Sequence, residues 1–455
     1  MGNLLTSLLN SANALGVYNQ ALETTENNVV NASTPGYARQ VQTLTALPFD
    51  PSSGIPGGVG AGPVVSTRNA FAEQGVQAQQ SQAGYQKQLS TDLSQLESYF
   101  DLSSSSNIPS SLDGLFSSFS QLSVNPNDTV SRQAVLTAAQ QVAESFQHAA
   151  SGLSAASGAV DNETRDAVAA VNRIAGQIAQ INTQRASNSS NSIDAGVDAT
   201  LYSDLEELSQ YVDFKALQQP NGSITVYLGG QTPLVMDSNA NTLQADFSTP
   251  QTRIVDENGA DLTNQIHLGS LAGMLQVKNT KLPSYLTDLN TLAQSVADQV
   301  NSTLSNGIDQ NGVTPTTDLF ATDSQAGAAL TLSVNPLTPD QIAAALPDSP
   351  GGNGNALALA QLSTTGLTQG SQFTQYYGEI AGRVGRDISN AQEDSSTDQQ
   401  LLTQAQSLRS QLQSVSLDQE ATNLIAFQRA YQATAKMLSL LDDLTGTVIN
   451  ILPSS

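Results

Sequence analysis

The end of the chain constrains its fold more than any other stretch. Residues 416–451 read as one helix, with Leu424, Phe427, Tyr431, Leu438, Leu441 and Val448 on a single stripe. Steps of threes, fours and sevens mark a helix that buries a narrow seam against another helix. Thr434 and Thr445 interrupt the stripe, so the seam is adaptable and not a strong leucine zipper. Ser416 followed by Gln419 can close a capping box at its start. Such a helix needs a mate, because tertiary packing supplies most helix stability. The stretch of matching character lies at the opposite end. There Leu8, Leu15, Leu22 and Val29 stand seven residues apart, with Leu5 and Ala12 interleaved. The expectation is that residues 1–40 and 416–455 pair as a coiled coil, and that everything between them is an excursion.

Within the excursion the same narrow seams recur. Tyr85, Leu89, Leu93, Leu96 and Phe100 share one face. Val135, Ala139, Val142, Phe146, Ala149, Leu153, Ala156 and Val160 step 4-3-4-3, and Val168, Val171, Ile174, Ile178 and Ile181 form a second run. Leu282 to Val300 and Phe373 to Val415 do likewise. This predicts a bundle of long helices over 41–195 and 271–415. Residues 41–69 read as two short strands around a Pro/Gly-rich loop, and the Ser-rich 101–127 reads as loop with a docked apolar segment at Leu112–Phe116. SNSSNS at 187–192 reads as a linker. After a helix at 196–213 the period changes to two: Ile224, Val226 and Leu228 alternate with polar residues, and Asn221-Gly222 and Asn258-Gly259 are hairpin signals. A small β-rich domain at 196–270, outermost in the molecule, is therefore expected. Residues 305–352 read as irregular, with one strand candidate at 329–334. The predicted fold class is mainly α with a β-rich insertion.

Charge and composition exclude several functions. A formal net charge of −24 repels phosphate backbones, which argues against nucleic-acid binding. The absence of cysteine removes disulfides, thiol catalysis and thiolate metal sites. No apolar run approaches the ~18 residues that would span a bilayer, so no membrane insertion is expected. No basic residue precedes Arg39 and no continuous apolar core follows the start, so no cleavable secretory signal is expected. His148 and His267 fall in no HExxH pattern, and Asp309, Asn311 and Gly312 match a calcium loop only superficially. The glycines at 57, 58, 60 and 62 do not fit a phosphate loop, and adjacent acids such as Glu206-Glu207 and Asp442-Asp443 diverge on their helices. Neither an enzyme nor a cofactor is expected.

Two motifs point to a family. TPGYARQ follows an Asn-rich helix end, where Pro35-Gly36 forces a turn, and NLIAFQRAYQATAKML lies in the last helix. Together they resemble the paired N- and C-terminal signatures of the bacterial flagellar axial proteins, the rod, hook and hook-associated subunits. SRQAVLTAAQQVAESF, IAQINTQ, NGSITVYLGGQTPLV, GSLAGMLQVKN, GNALALAQL and VSLDQEATNLI narrow the likeness to the hook–filament junction members. In GSLAGMLQVKN the chain departs from those proteins, which usually carry an Arg near Val277. The resemblance implies a structural subunit, exported unfolded through the flagellum's own type III apparatus and placed in a ring between hook and filament. It implies like subunits, the hook protein and the second junction protein as partners, and a cytosolic export chaperone on the C-terminal helix. By the match, Asn31, Pro35, Gly36, Tyr37, Arg39 and Gln40 belong to the signature at the inner tube, and Leu424, Phe427, Gln428 and Tyr431 to its C-terminal counterpart. The heptad positions Leu8, Leu15, Leu22, Val29, Leu438, Leu441 and Val448 extend that expected assembly surface. Alternatives are a hook or distal rod subunit, or a secreted adhesin or enzyme on an axial scaffold. In an isolated chain, the few strong apolar positions predict terminal helices that fray until docked.

Overall fold

A computed structural model of the chain describes residues 2–50, 55–102, 107–187 and 194–451. Most of SNSSNS and part of the Pro/Gly-rich stretch lie outside those residues. Long helices dominate, as the seams require: α1 (Gly2–Val30), α2 (Ala70–Ser94), α3 (Ile108–Val124), α4 (Thr129–Ser187), α5 (Ala195–Tyr211), α6 (Ser270–Gln276), α7 (Leu282–Ser305), α8 (Ala328–Thr331), α9 (Gly354–Thr365), α10 (Phe373–Gln413) and α11 (Leu417–Ile451). The sheets are small and antiparallel. They include a hairpin of β1 (Gln40–Asp50) and β2 (Ile55–Ser66), a four-stranded meander of β3 (Phe214–Gln218), β4 (Ile224–Leu228), β5 (Thr232–Met236) and β6 (Asn239–Ala240), and a hairpin of β7 (Leu243–Asp246) and β8 (Arg253–Asp256); two short pairs, Phe320–Ala321 with Ser333–Val334 and Leu367–Thr368 with Ser371–Gln372, add to them. The mainly-α class with paired terminal helices is the observed one.

The chain forms two compact units. One comprises Met1–Ala83, Ala170–Thr242 and Asp398–Ser455, the other Gly84–Ala169 and Leu243–Thr397. Helices α2, α4 and α10 contribute residues to both. The strands expected in a single domain over 196–270 fall into both units as well, β3–β6 in the first and β7–β8 in the second.

In the first unit, α1 packs against α11 and carries the β1–β2 hairpin. The Pro/Gly-rich stretch expected to be a loop is largely strand, pairing Gly58 with Leu47 and Gly60 with Thr45. Glycine permits this: a Cβ at Gly62 would stand 2.3 Å from Thr43 Oγ1, and Gly58 lies against the Asn10 amide, which donates to Gly57 O at 2.7 Å. The meander is anchored on α4 by the buried Asn182, which donates to Ile224 O at 2.8 Å and accepts from Ile224 N at 2.7 Å.

The second unit holds a dense helical core. Residues 108–124, expected as loop, are the helix α3. Asn107 caps it by accepting from Ser110 N at 2.8 Å, Pro109 occupies its first turn, and Ile108, Leu112, Leu115, Phe119 and Leu122 are buried at 4-3-4-3 spacing. Serines between these positions mask the period in sequence. Phe116 stacks on Phe373 with centroids 6.1 Å apart, and Phe100 meets Tyr285 edge-on at 6.2 Å. The irregular 305–352 belongs to this unit. It is held by the buried Arg132 of α4, whose guanidinium donates to Pro126 O, Pro339 O and Ile342 O. Its strand candidate at 329–334 is the short helix α8 followed by Ser333–Val334, which pairs with Phe320–Ala321. Around Val277 the chain makes a π-helical turn, Val277–Lys281, between α6 and α7. The buried Val277 is flanked by Lys278, which donates to Ser157 and Asp161, and by Asn279, which accepts from Thr252 N and donates to Thr252 O.

Candidate functional site

The terminal helix pair gathers the expected residues, but not in the expected way. Asn28, near the end of α1, meets Glu420, near the start of α11, so the two helices run antiparallel along their paired length. On α11 the expected stripe is the inward one. Leu424, Phe427, Leu438, Leu441 and Val448 are all half-buried, together with Thr434 and Thr445. Tyr431 lies at the stripe's edge, 38% exposed, and Gln428 is exposed. On α1 the expected stripe is likewise half-buried at Leu8, Leu15 and Leu22, and exposed at Val29. The deepest positions are Ser11, Val17, Ala21, Thr25 and Asn28. The β1–β2 hairpin covers α1 as well as α11 does, so these positions lie where α1 is enclosed from more than one side.

The expected capping box at Ser416 is half-formed. Gln419 N donates to Ser416 Oγ at 3.4 Å, but the Gln419 amide turns to Asn423. Among the described residues of α11 only Glu420 is buried, at 1% exposure. The helix offers its outer face to solvent instead, with Leu417, Ile425, Met437, Leu440 and Leu444 each more than a third exposed. Leu5 and Leu9 of α1 are exposed too.

At the base of the pair lies a polar knot that holds the TPGYARQ segment. Asn28 is its hub: its Oδ1 accepts from Gln40 N at 2.8 Å and from Tyr37 OH at 3.0 Å. Its Nδ2 donates to Gln40 O at 2.7 Å and to Glu420 Oε2 at 3.2 Å. Arg39 Nε donates to the other carboxylate oxygen of Glu420. Burial, and then the negative charge of Glu420, push the Tyr37 phenol up to about 12, so it stays a donor at any physiological pH. Asn31 closes the helix end, donating to Asn27 O at 3.0 Å and accepting from Thr34 Oγ1 at 3.1 Å, and Pro35 is exposed in the turn. Gly36 has φ +72°, and a Cβ there would stand 2.1 Å from Ala199 O on α5, so no other residue fits.

A second charged cluster continues from the first. Arg39 N donates to Gln413 O at 3.0 Å, and Gln413 Nε2 donates to the buried Glu73 at 2.7 Å. Glu73 also accepts from Arg68 and from Arg409. Arg68 reaches Gly36 O at 2.7 Å and Asp198 at 2.9 Å, and stacks over the Tyr202 ring at 3.8 Å. Sequence reasoning missed Asn28, Arg68, Glu73, Gln413 and Glu420. For Glu420 a signal existed: it stands seven residues before Phe427, on the seam itself, where a charge needs a partner.

Among the described residues, no group of three or more His, Asp or Glu side chains is placed to hold a metal, and no helix is long and apolar enough to cross a membrane. His148 is exposed and lies edge-on to Tyr99 at 5.8 Å.

Residues 93–320 match the family model of the flagellar hook-associated protein FlgK helical domain. Residues 413–451, which contain α11, match the flagellar basal body rod FlgEFG protein C-terminal model. The chain is 27% identical to the flagellar hook-associated protein 1 of Bacillus subtilis, over 99% of both chains. It is 23% identical to the Escherichia coli protein of that name, over 98% of this chain and 100% of the other. A solved structure of the flagellar hook junction protein FlgK from Burkholderia pseudomallei superposes with a TM-score of 0.66 at 17% identity, covering 76% of this chain and 100% of that one.

Proposed function

The chain belongs to the FlgK family of flagellar hook-associated proteins, and from that premise we propose that it builds its junction by polymerising through the two terminal helices. It is a structural protein of the flagellar hook–filament junction. The observation that carries the assembly step is the packing of α11. None of its described apolar side chains is fully buried within the chain, while Ile425, Met437, Leu440 and Leu444 face outward. A single exposed apolar residue is ordinary, but a row of them along one helix is an interaction surface. At ~25 cal/mol per Å² of apolar surface removed from water, a few hundred Å² per contact suffices when many identical contacts cooperate.

In this reading Leu8, Leu15, Leu22, Val29, Leu424, Phe427, Gln428, Tyr431, Leu438, Leu441 and Val448 belong to the assembly surface, with the half-buried members completed by neighbouring copies. Asn31, Pro35, Gly36, Tyr37, Arg39 and Gln40 set the angle at which the pair leaves the rest of the first unit. The partners are further copies of the chain, the hook protein on one side and the second junction protein on the other, with a cytosolic chaperone on α11 before export through the flagellar apparatus. The role is architectural and needs no catalysis.

The test is a charge on the outer face. Ile425→Asp and Leu440→Asp alter exposed positions, so the isolated chain keeps its helix content by circular dichroism. The expected result is loss of junction rings on flagella viewed by electron microscopy, and loss of motility. Normal junctions from the double variant would sink the proposal.

A further inference from the structure

The seam of the terminal pair is poorly suited to fixing its own register. On α1 the half-buried leucines Leu8, Leu15 and Leu22 repeat every seven residues. On α11 it alternates larger apolar residues with Thr434 and Thr445, all half-buried. Sliding one helix by a heptad, about 10 Å, would set similar groups against similar groups. One group tolerates a single register only. The Glu420 carboxylate is buried, and both of its oxygens are engaged, one by Asn28 and one by Arg39.

Neither partner can follow a slide. Asn28 is spent on three further bonds, to Tyr37 and to both backbone groups of Gln40. Arg39 is tied through its backbone to Gln413 O at 3.0 Å and to Thr67 N at 2.9 Å. A slide would leave a buried carboxylate without a partner, which a folded chain does not tolerate.

We propose that the Asn28–Glu420–Arg39 clasp sets the register of the terminal helix pair, with Glu420 as its positioning residue. The apolar seam supplies adhesion and the clasp supplies alignment. This deepens the assembly reading and takes its importance from it, because register decides which outward side chains of α1 and α11 line up for a neighbouring copy.

The test uses the isolated full-length chain, so it does not depend on polymerisation. The chain has no cysteine, which makes Glu26→Cys and Ser439→Cys, both exposed and set far apart along the pair so that a slide changes their distance, unique attachment points for spin labels. Electron–electron distance measurement on this background should give one narrow distribution. Glu420→Leu removes the clasp and keeps an apolar side chain at the seam. It should add a second population displaced by about 10 Å, with helix content unchanged. Glu420→Gln, which still accepts from Asn28, should stay close to the parent distribution. A single narrow distribution in Glu420→Leu would overturn the proposal. So would loss of helix content in that variant, which would make the clasp a source of stability and not of alignment, and so would a broad distribution in the parent. If rings form normally after charge is placed on Ile425 and Leu440, the assembly reading fails while the register result stands.

Discussion

Helices α7 and α11 are written with the same step and do opposite things. Of the 24 residues of α7, nine are buried, from Leu282 and Tyr285 through Leu289, Val296 and Val300 to Leu304. In α11 the residue that is buried among those described is Glu420. Both present an apolar stripe every three or four residues. The difference lies in what surrounds them: α7 sits in a unit with α3, α4, α9 and α10, whereas α11 has α1 along its length. Periodicity tells which face of a helix turns inward. It does not tell how deep that face goes, and in this chain the depth separates a helix with a fully buried face from one whose apolar face is only half-covered.

The largest expected effect breaks or upholds that contrast directly. Leu289→Ala empties a fully buried site and should lower the stability of the isolated chain by about 2–5 kcal/mol in denaturant unfolding. Leu441→Ala removes the same atoms from a half-buried site and should cost the isolated chain less than about 1 kcal/mol. Equal costs at the two sites would mean that α11 is as well packed as α7, and the distinction between them would collapse.

The contrast also explains what the sequence could reveal. The inward face of α11 was legible because Leu424, Phe427, Leu438, Leu441 and Val448 are both large and inward. On α1 the large residues Leu8, Leu15 and Leu22 are only half-buried, and the deepest positions include Ser11, Ala21, Thr25 and Asn28. Size marks a core well, but small buried residues carry little signal. The turn at Pro35-Gly36 was legible because it is local. Its partners were not, since Arg39 and Glu420 stand 381 positions apart. Helix α3 was hidden by its serines, and β2 by its glycines, whose role depends on Thr43 across the hairpin and on Asn10 of α1.

The two regions also bury carboxyl groups differently. Glu420 at the terminal pair meets an amide and a guanidinium. Asp92 in the second unit is buried beside Glu163 and accepts from Gln88 at 2.7 Å. Its own burial, and then the charge of Glu163, push its carboxyl up to about 7. The folded chain therefore holds this proton more tightly than the unfolded chain does. Its contribution to stability is complete below the ordinary carboxylate range near 4 and is lost as pH rises through about 7. Asp92→Asn stays neutral and should be more stable than the parent at pH 8, on the order of 2 kcal/mol, with the advantage vanishing near pH 4. Urea midpoints at several pH values measure this. A parent and variant that keep the same difference across the range would show that Asp92 carries no such proton.

The smallest expected effect concerns why the terminal seam is weak. Thr434 and Thr445 occupy inward positions on α11, yet their hydroxyls donate to Ala430 O at 2.8 Å and Leu441 O at 2.6 Å, within their own helix. Nothing across the seam depends on either hydroxyl. Valine keeps the branched shape and replaces the hydroxyl with a methyl group at a half-buried site. Each of Thr434→Val and Thr445→Val should therefore strengthen the pair by roughly 0.5 kcal/mol, about half the transfer energy of a buried methylene. Hydrogen exchange of α1 and α11 amides should slow by about twofold per substitution, while exchange in α3 and α7 stays fixed. If exchange slowed in α7 as well, the terminal pair and the helical core would unfold as one, and the weakness assigned to the seam would belong to the whole chain. If exchange slowed nowhere, the threonines would not face a contact at all. A gain confined to α1 and α11 means that the seam is improvable by single methyl groups, as expected for a surface whose full burial is supplied by neighbouring copies.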